Sequence, residues 1–238
     1  MDKDALKYIA EDLAGAERYE IDGAIYSSKP IYRVPEVSPK PFMTKSLAGI
    51  VELINQEYSH KRLNSLIIHV AEPTLVEVHS MLRGDLGRFH IYTAQADLPT
   101  QKMGQYMDLE EVVIRLKSTF VQTETRDILI QLLGNIKEEA VKTSSDDGIS
   151  QTVTAKTGIA TVSNVTLPPI ISLAPYRTFI EVEQPEGDFL LRLQNGPRAA
   201  LFEADGGAWK VQARKNIKQY FLDELDDLVS LGTVIVTE

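Results

Sequence analysis

Apolar residues recur at helical spacing in five stretches of the chain, which predicts amphipathic helices there. These helices are expected at about 4–14, 45–58, 109–120, 128–140 and 209–228. Thr44 stands where the N-cap of the second helix is expected, and the threonines of "QTET" (122–125) can cap the fourth. The last helix is the longest, and the apolar segment "GTVIVTE" (232–238) follows it as a short strand.

Alternating apolar and polar residues predict short strands in two parts of the chain. Residues 63–96 read as three antiparallel strands, with turns at 72–74 and 84–87. Six more short strands are expected after "TSSDDG" (143–148), within 150–158, 159–167, 170–175, 177–184, 188–196 and 198–205. Because turns separate these strands closely, antiparallel pairing is expected.

Together these elements predict an α+β fold, with antiparallel sheets, amphipathic helices packed on them, and a long C-terminal helix followed by a short strand. Two regions are expected: an N-terminal α+β region at 1–143 and a β-rich region with the C-terminal helix at 149–238. The boundary would lie near 144–148, and a single continuous domain is the alternative.

Composition narrows the classes of function. The 238 residues include no cysteine, which excludes disulfides, thiolate zinc sites and cysteine nucleophiles. The net charge of −9 does not favour sequence-independent binding to duplex DNA, although a local basic groove stays possible. No apolar run is long enough to span a membrane and the N-terminus is not a secretory signal, so a cytoplasmic protein is expected.

The acidic residues offer one candidate for catalysis. Glu181 with Glu183, and Glu203 with Asp205, have i, i+2 spacing on predicted strands, so each pair would point to one side. Four acids on one sheet face could bind magnesium, as in metal-dependent nucleases. However, no lysine follows either pair at nuclease spacing, and alternating acids are also typical of a half-solvated strand. The half-solvated strand is the favoured interpretation.

Other chemical motifs are absent from the sequence. His69, His79 and His90 would lie on neighbouring strands, but no metal-ligand spacing occurs, and solvent-facing histidines are the favoured reading. There is no serine nucleophile motif, no phosphate-binding loop and no dinucleotide fingerprint. We therefore expect no metal, no cofactor and no catalytic residues.

The segment "FEADGGAWK" (202–210) predicts a glycine turn before the last helix. Asp205 is a natural cap or turn acceptor, and Gly206 and Gly207 tolerate positive φ. Lys210 and Arg214 share one helix face, so the turn and these cations could bind an anion or a nucleic acid. Since Asp205 competes for the same backbone amides, a structural turn is the favoured interpretation.

Three segments carry a resemblance to known proteins: "DDGISQTVTAKTGIA", "LAPYRTFIEVEQPEGDFLLRL" and "ALFEADGGAWKVQARKNIKQYF". They resemble a family of uncharacterised proteins from temperate phages and prophages of Gram-positive bacteria, and more distantly a domain of unknown function from enterobacterial prophages. The likeness is strongest over about 120–225. It implies a phage early-region setting, near recombination and single-strand-binding genes, but no established activity. It also marks a group of polar motif residues as candidate binding residues: Tyr176, Arg177, Glu181, Glu183, Gln184, Glu203, Asp205 and Trp209.

The expected function is that of a phage-encoded, non-catalytic binding protein in the host cell cytoplasm. It would act in phage DNA metabolism or antagonise a host function. Its expected partners are further copies of itself and a host or phage protein. The alternative is a metal-dependent enzyme that acts on nucleic acid or nucleotides through the four paired acids.

Overall fold

A computed structural model describes residues 40–60, 65–84, 86–136, 170–194, 196 and 198–238. It also describes residues 3, 15 and 17 and the short strands 18–21, 24–27, 152–156 and 162–166. The helix expected at 4–14 and the boundary expected at 144–148 lie outside the described residues. The chain divides into two compact units, Met1–Ser38 and Pro39–Glu238.

The described elements confirm the α+β class. The helices are α1 (Leu47–Ser59), α2 (Leu109–Thr119), α3 (Glu124–Gly134), α4 (Trp209–Glu224) and α5 (Asp226–Ser230). The strands are β1 (Arg18–Ile21), β2 (Ala24–Ser27), β3 (Phe42–Thr44), β4 (Leu66–Glu72), β5 (Leu75–Ser80), β6 (His90–Gln95), β7 (Met107–Asp108), β8 (Thr152–Lys156), β9 (Val162–Thr166), β10 (Ile171–Leu173), β11 (Gly187–Gln194), β12 (Arg198–Glu203) and β13 (Val234–Thr237). The strands β1 and β2, and the strands β8 and β9, form two antiparallel pairs. Among the described residues, no helix combines the length and apolar character needed to cross a bilayer.

A five-stranded sheet forms the first core, in the order β13-β4-β5-β6-β3. As predicted, β4, β5 and β6 are an antiparallel meander. The two outer strands are parallel to their neighbours, β13 to β4 and β3 to β6, which sequence alternation did not indicate. Alternate residues such as Ile68 and Val78 are fully buried on one sheet face, where they cluster with Ile54 of α1 and Phe221 of α4.

A four-stranded antiparallel sheet forms the second core, in the order β10-β11-β12-β7. Its buried residues, among them Phe189 and Leu193, pack with Leu116 of α2 and Leu133 of α3. The cap of α3 is Thr123, as expected: its hydroxyl accepts a hydrogen bond from the Arg126 amide at 3.1 Å.

One side chain on α2 has a shifted pKa. The Glu111 carboxylate accepts hydrogen bonds from Lys102 Nζ at 2.9 Å and Arg115 Nε at 3.1 Å. These bonds hold the pKa of Glu111 below its ordinary value.

Three local predictions were wrong. Ser46 rather than Thr44 caps α1, and its hydroxyl accepts from the Gly49 amide, because the helix begins at Leu47. The strand expected at 177–184 is a loop. The final helix is broken at Leu225 into α4 and α5. The break places two acids, Asp226 and Asp227, in the first turn of a new helix, where the helix dipole favours negative charge.

Candidate functional site

The loop at 174–186, between β10 and β11, is organised by the side chain of Gln184. Its Oε1 accepts hydrogen bonds from the amides of Arg177 and Thr178, at 3.0 and 3.1 Å. Its Nε2 donates to the carbonyls of Thr178, Phe179 and Val182, at 3.4, 2.8 and 3.2 Å. Gln184 is buried, so these bonds satisfy backbone groups that a neighbouring strand would otherwise pair. The buried glutamine therefore explains why an alternating sequence forms a loop here.

The same loop joins the two sheets. The Tyr176 amide donates to the Thr119 carbonyl at 2.9 Å, next to the four-stranded sheet. The Thr178 hydroxyl donates to the Pro73 carbonyl at 2.5 Å, at the turn between β4 and β5. Phe179 is 1% exposed and belongs to the core of the five-stranded sheet. Loop residues are thus held from both sides, which fixes the position of Arg177 between them.

Arg177 is the centre of the site. Its Nη1 donates to Glu203 Oε1 at 3.0 Å, and its Nη2 lies 3.7 Å from Asp205 Oδ2. The guanidinium carbon lies 4.1 Å from the Trp209 ring centroid, in the range of a cation–π contact. Burial lowers the pKa of Arg177, while the charges of Asp205 and Glu203 raise it. The guanidinium stays protonated at neutral pH, because the ordinary pKa of arginine is so high.

The glycine turn brings Asp205 and Trp209 to Arg177. Asp205 Oδ1 accepts a hydrogen bond from the Gly207 amide at 3.0 Å, so Asp205 is a turn acceptor rather than the cap of α4, which is Ala208. Gly206 and Gly207 have φ of 62° and 84°, a conformation that favours glycine. The Gly207 amide therefore donates to the Asp205 carboxylate, and it is not free to bind the anion that the sequence offered as an alternative.

Three buried side-chain atoms of the described residues have no hydrogen-bond partner, and all three belong to this site. They are Arg177 Nε, Asp205 Oδ2 and Trp209 Nε1. Buried polar groups are nearly always hydrogen-bonded, since an unpaired one costs about 1–3 kcal/mol. Their concentration at one place makes this part of the described chain the candidate site.

Two of these residues, Asp205 and Trp209, also line an open cleft of about 280 Å³, and we call it the Trp209 cleft. Its lining includes Ser172, Glu186, Asp188, Asp205, Trp209 and Gln212. Ser172 Oγ donates to Glu186 Oε2 at 3.1 Å across the cleft wall. The strand β11 begins at Gly187, where a Cβ atom would lie 2.7 Å from Asp205 Oδ2 and against Arg177 Nη2. Only glycine fits between these two charged groups.

The structure does not bring all the predicted residues together. Glu181 lies at the other end of the loop, where its Oε1 accepts from the Leu47 amide at the start of α1 at 2.8 Å. Glu183 is exposed, and its carbonyl accepts from Asn216 Nδ2 at 2.9 Å. The Lys210 ammonium lies 6.0 Å from the Trp209 ring centroid. Arg214, one turn further along α4, makes no hydrogen bond or ion pair with a described residue.

The acidic face predicted from the two i, i+2 pairs is not formed. Glu181 and Glu183 are on a loop rather than a strand, and Asp205 lies beyond the end of β12. Within the described part of the chain, no three histidine or acidic side chains are placed to hold a metal ion. The half-buried rings of His79 and His90 instead contact each other, with centroids 4.9 Å apart and planes tilted by 31°, and His90 Nε2 hydrogen-bonds to Thr93 Oγ1 at 2.8 Å.

Sequence reasoning missed Glu186, Gly187 and Asp188, which form one wall of the cleft. A signal was present in "EGD", because a glycine between two acids at the start of an apolar strand indicates a close approach of the backbone to another group. Sequence alternation placed Asp188 in the strand expected at 188–196 and gave Glu186 and Gly187 no role.

Comparison with protein-family models, with curated proteins and with solved structures found no significant match.

Proposed function

We propose that this chain is a phage-encoded, non-catalytic binding protein of the host cytoplasm. It acts in phage DNA metabolism or antagonises a host function, in keeping with the resemblance of residues 120–225 to phage and prophage proteins. Its binding site is the Trp209 cleft.

The unpaired polar atoms beside the cleft carry this proposal. Asp205 Oδ2 and Trp209 Nε1 belong to residues that line the cleft, and neither has a hydrogen-bond partner among the described residues, although Asp205 Oδ2 is in an ion pair with Arg177. A binding partner that supplied a donor and an acceptor would recover the free energy that these atoms cost when unpaired. Hydrogen bonds of Gln184 fix the loop that carries Arg177, and the glycine turn at 205–207 fixes Asp205. Because both parts are fixed before a partner arrives, binding loses little conformational entropy.

The alternative from the sequence, a metal-dependent enzyme, has less support. Metal-assisted hydrolysis needs carboxylates that converge on one ion and remain free to bind it. Glu203 is in an ion pair with Arg177, and Glu181 is hydrogen-bonded at the start of α1. The positive charge of Arg177 between Glu203 and Asp205 also opposes a cation there.

One assay separates the two functions. The protein is incubated with labelled single-stranded and double-stranded DNA, with and without magnesium or manganese. We expect no cleavage in any of these mixtures. Cleavage that is lost in Glu203→Ala or Asp205→Ala, and kept in the exposed-acid control Glu110→Gln, would refute the non-catalytic proposal.

We also propose that copies of the chain associate with one another. The strand β13 is an outer strand of the five-stranded sheet, and Ile235 on it is 44% exposed. An outer strand presents unpaired backbone groups that another chain can extend. Light scattering should give a mass above that of the 26.6 kDa monomer. A monomer mass over a wide concentration range would contradict this proposal.

A further inference from the structure

The strand β13 is the least protected outer strand of the two larger sheets. The other three outer strands, β3, β7 and β10, have two or three residues, and each contains a charge or has a proline within two residues. Short strands, charges and prolines are features that keep a sheet edge from pairing with another chain. In contrast, β13 has four residues, "VIVT", without a charge or a proline, and the adjacent Glu238 is paired with Lys218 of α4 at 3.8 Å. The edge at β13 is therefore open to another strand.

The backbone of β13 offers hydrogen-bonding groups at this edge. The Thr233 carbonyl accepts from the Leu66 amide at 2.8 Å, and β13 runs parallel to β4 from there. In a parallel pair, residues that bond to the neighbouring strand alternate with residues that do not. Thr233 and Ile235 bond to β4, so the N–H and C=O groups of Val234 and Val236 point away from it. No described residue bonds to these outward groups.

The outward groups are symmetric about Ile235, which makes the edge complementary to a copy of itself. In an antiparallel pair with a twofold axis at Ile235, Val234 of one copy exchanges both backbone bonds with Val236 of the other. Ile235, 44% exposed, then lies opposite its counterpart, and two apolar side chains leave water. Glu238 lies opposite Gly232 of the other copy, so no like charges meet across the pair.

We infer that β13 pairs antiparallel with β13 of a second copy, around a twofold axis at Ile235, and joins two five-stranded sheets into one. A twofold contact uses the same surface on both copies, so it closes as a dimer instead of growing into a filament. The other outer strand of this sheet, β3, follows Pro41, which has no N–H group to donate to a further strand. This inference rests on the proposed self-association, and it names the surface, the partner and the register.

A single introduced thiol tests the register. Because the sequence has no cysteine, Ile235→Cys provides the only thiol in the chain. In the inferred pair the two thiols face each other at a non-hydrogen-bonded position, with Cα atoms about 4.5 Å apart, which a disulfide can span. Thr237→Cys, on the same strand and face, is the matched control, because its two copies would be roughly 14 Å apart. We expect mild oxidation to give a covalent dimer on a non-reducing gel for Ile235→Cys and not for Thr237→Cys.

A charge at the centre of the pair tests how much this contact contributes to association. Ile235→Lys places two ammonium groups opposite each other, and like charges across an interface oppose binding strongly. Because Ile235 is exposed, the variant should fold, which circular dichroism checks. We expect the dissociation constant of the dimer, from sedimentation equilibrium, to rise roughly tenfold or more. The control Ile114→Lys, at an exposed position on α2, should leave it unchanged.

Three results would overturn the inference. They are no covalent dimer of Ile235→Cys, an equal yield from Thr237→Cys, or an unchanged dissociation constant in Ile235→Lys. If light scattering still shows an oligomer in these cases, copies associate through another surface, and only the β13 edge is ruled out. A monomeric parent chain would contradict self-association itself and leave the edge to a strand of another protein. The proposal for the Trp209 cleft is tested separately, by the DNA cleavage assay.

Discussion

Arg177→Met tests whether the site depends on a buried positive charge. Methionine keeps most of the unbranched stem and removes the guanidinium. The substitution removes the hydrogen bond to Glu203 at 3.0 Å and the weaker one to the Pro185 carbonyl at 3.4 Å. It also leaves the Asp205 carboxylate, 10% exposed, without the counter-charge that lies 3.7 Å away.

The two carboxylates contribute unequally to the expected loss. Glu203 is 42% exposed, so its pair with Arg177 is screened by water and contributes at most about 1 kcal/mol. Removing one partner of a buried pair costs about 3–5 kcal/mol, because the other charge stays buried and uncompensated. Most of the loss therefore comes from Asp205. For a chain of this size, a loss of about 3–5 kcal/mol lowers the melting temperature by about 6–20 °C.

A second substitution isolates the buried charge. Asp205→Asn keeps the oxygen that accepts from the Gly207 amide and removes the negative charge. The double variant Arg177→Met/Asp205→Asn should be more stable than Arg177→Met alone by about 1–3 kcal/mol, as expected for side chains in contact. Glu203→Gln, the control, should cost no more than about 1 kcal/mol.

The assay is urea unfolding followed by far-ultraviolet circular dichroism, because the fluorescence of Trp209 would report the substitution itself. The reasoning fails if the free energy of unfolding of Arg177→Met is within about 1 kcal/mol of that of the parent chain. It also fails if the double variant is no more stable than Arg177→Met, because the loss would then not come from the stranded carboxylate.

Three further predictions concern single positions. Gly207→Ala should lower the free energy of unfolding in urea by roughly 1 kcal/mol or more, because φ is 84° at this position. The control Gly134→Ala, in open space at the end of α3, should not lower it. Equal losses for the two variants would contradict a strained turn at Gly207. Lys210→Ala and Arg214→Ala should each change the melting temperature little, as surface substitutions do, and a large drop would show a structural role. Hydrogen bonds from Lys102 and Arg115 lower the pKa of Glu111 in the folded protein. The ionised carboxylate therefore stabilises the fold at pH values above its unfolded-state pKa. That stabilisation is lost as the pH falls through the pKa of Glu111 in the folded state. Glu111→Gln should therefore lessen the loss of stability on acidification, and an unchanged pH profile would refute this.

Sequence periodicity was a good guide wherever an element buries one regular face. The meander of β4, β5 and β6 has alternate buried residues, and the helices α1 and α2 have apolar stripes, so these elements were predicted near their observed bounds. The helix α3 has an apolar stripe too, but it begins and ends several residues before the predicted bounds of 128–140. Parallel pairing was not predictable in the same way. The alternation of β13 is the same for either direction, and only packing against β4 decides it.

The loop at 174–186 was mispredicted because its residues point into different environments. Phe179 enters one core, Arg177 enters the site, and Glu181 reaches α1, yet in sequence they alternate like a strand. The partners that fix them are distant in sequence, such as Leu47, 134 residues from Glu181. The sequence motifs did mark Arg177, Glu203, Asp205 and Trp209 as candidate binding residues, but their mutual contacts depend on the folded chain.

The loop that ties the two sheets together also determines when the site can form during folding. Thr178 and Pro73 are 105 residues apart, and Arg177 and Glu203 are 26 apart. Contacts between distant residues form late, because closing long loops costs chain entropy before any contact is made. Trp209 gains its neighbour Arg177 only after the loop has docked on both sheets. Its emission during refolding should therefore reach the native value last, after the circular dichroism signal of the helices and strands is complete.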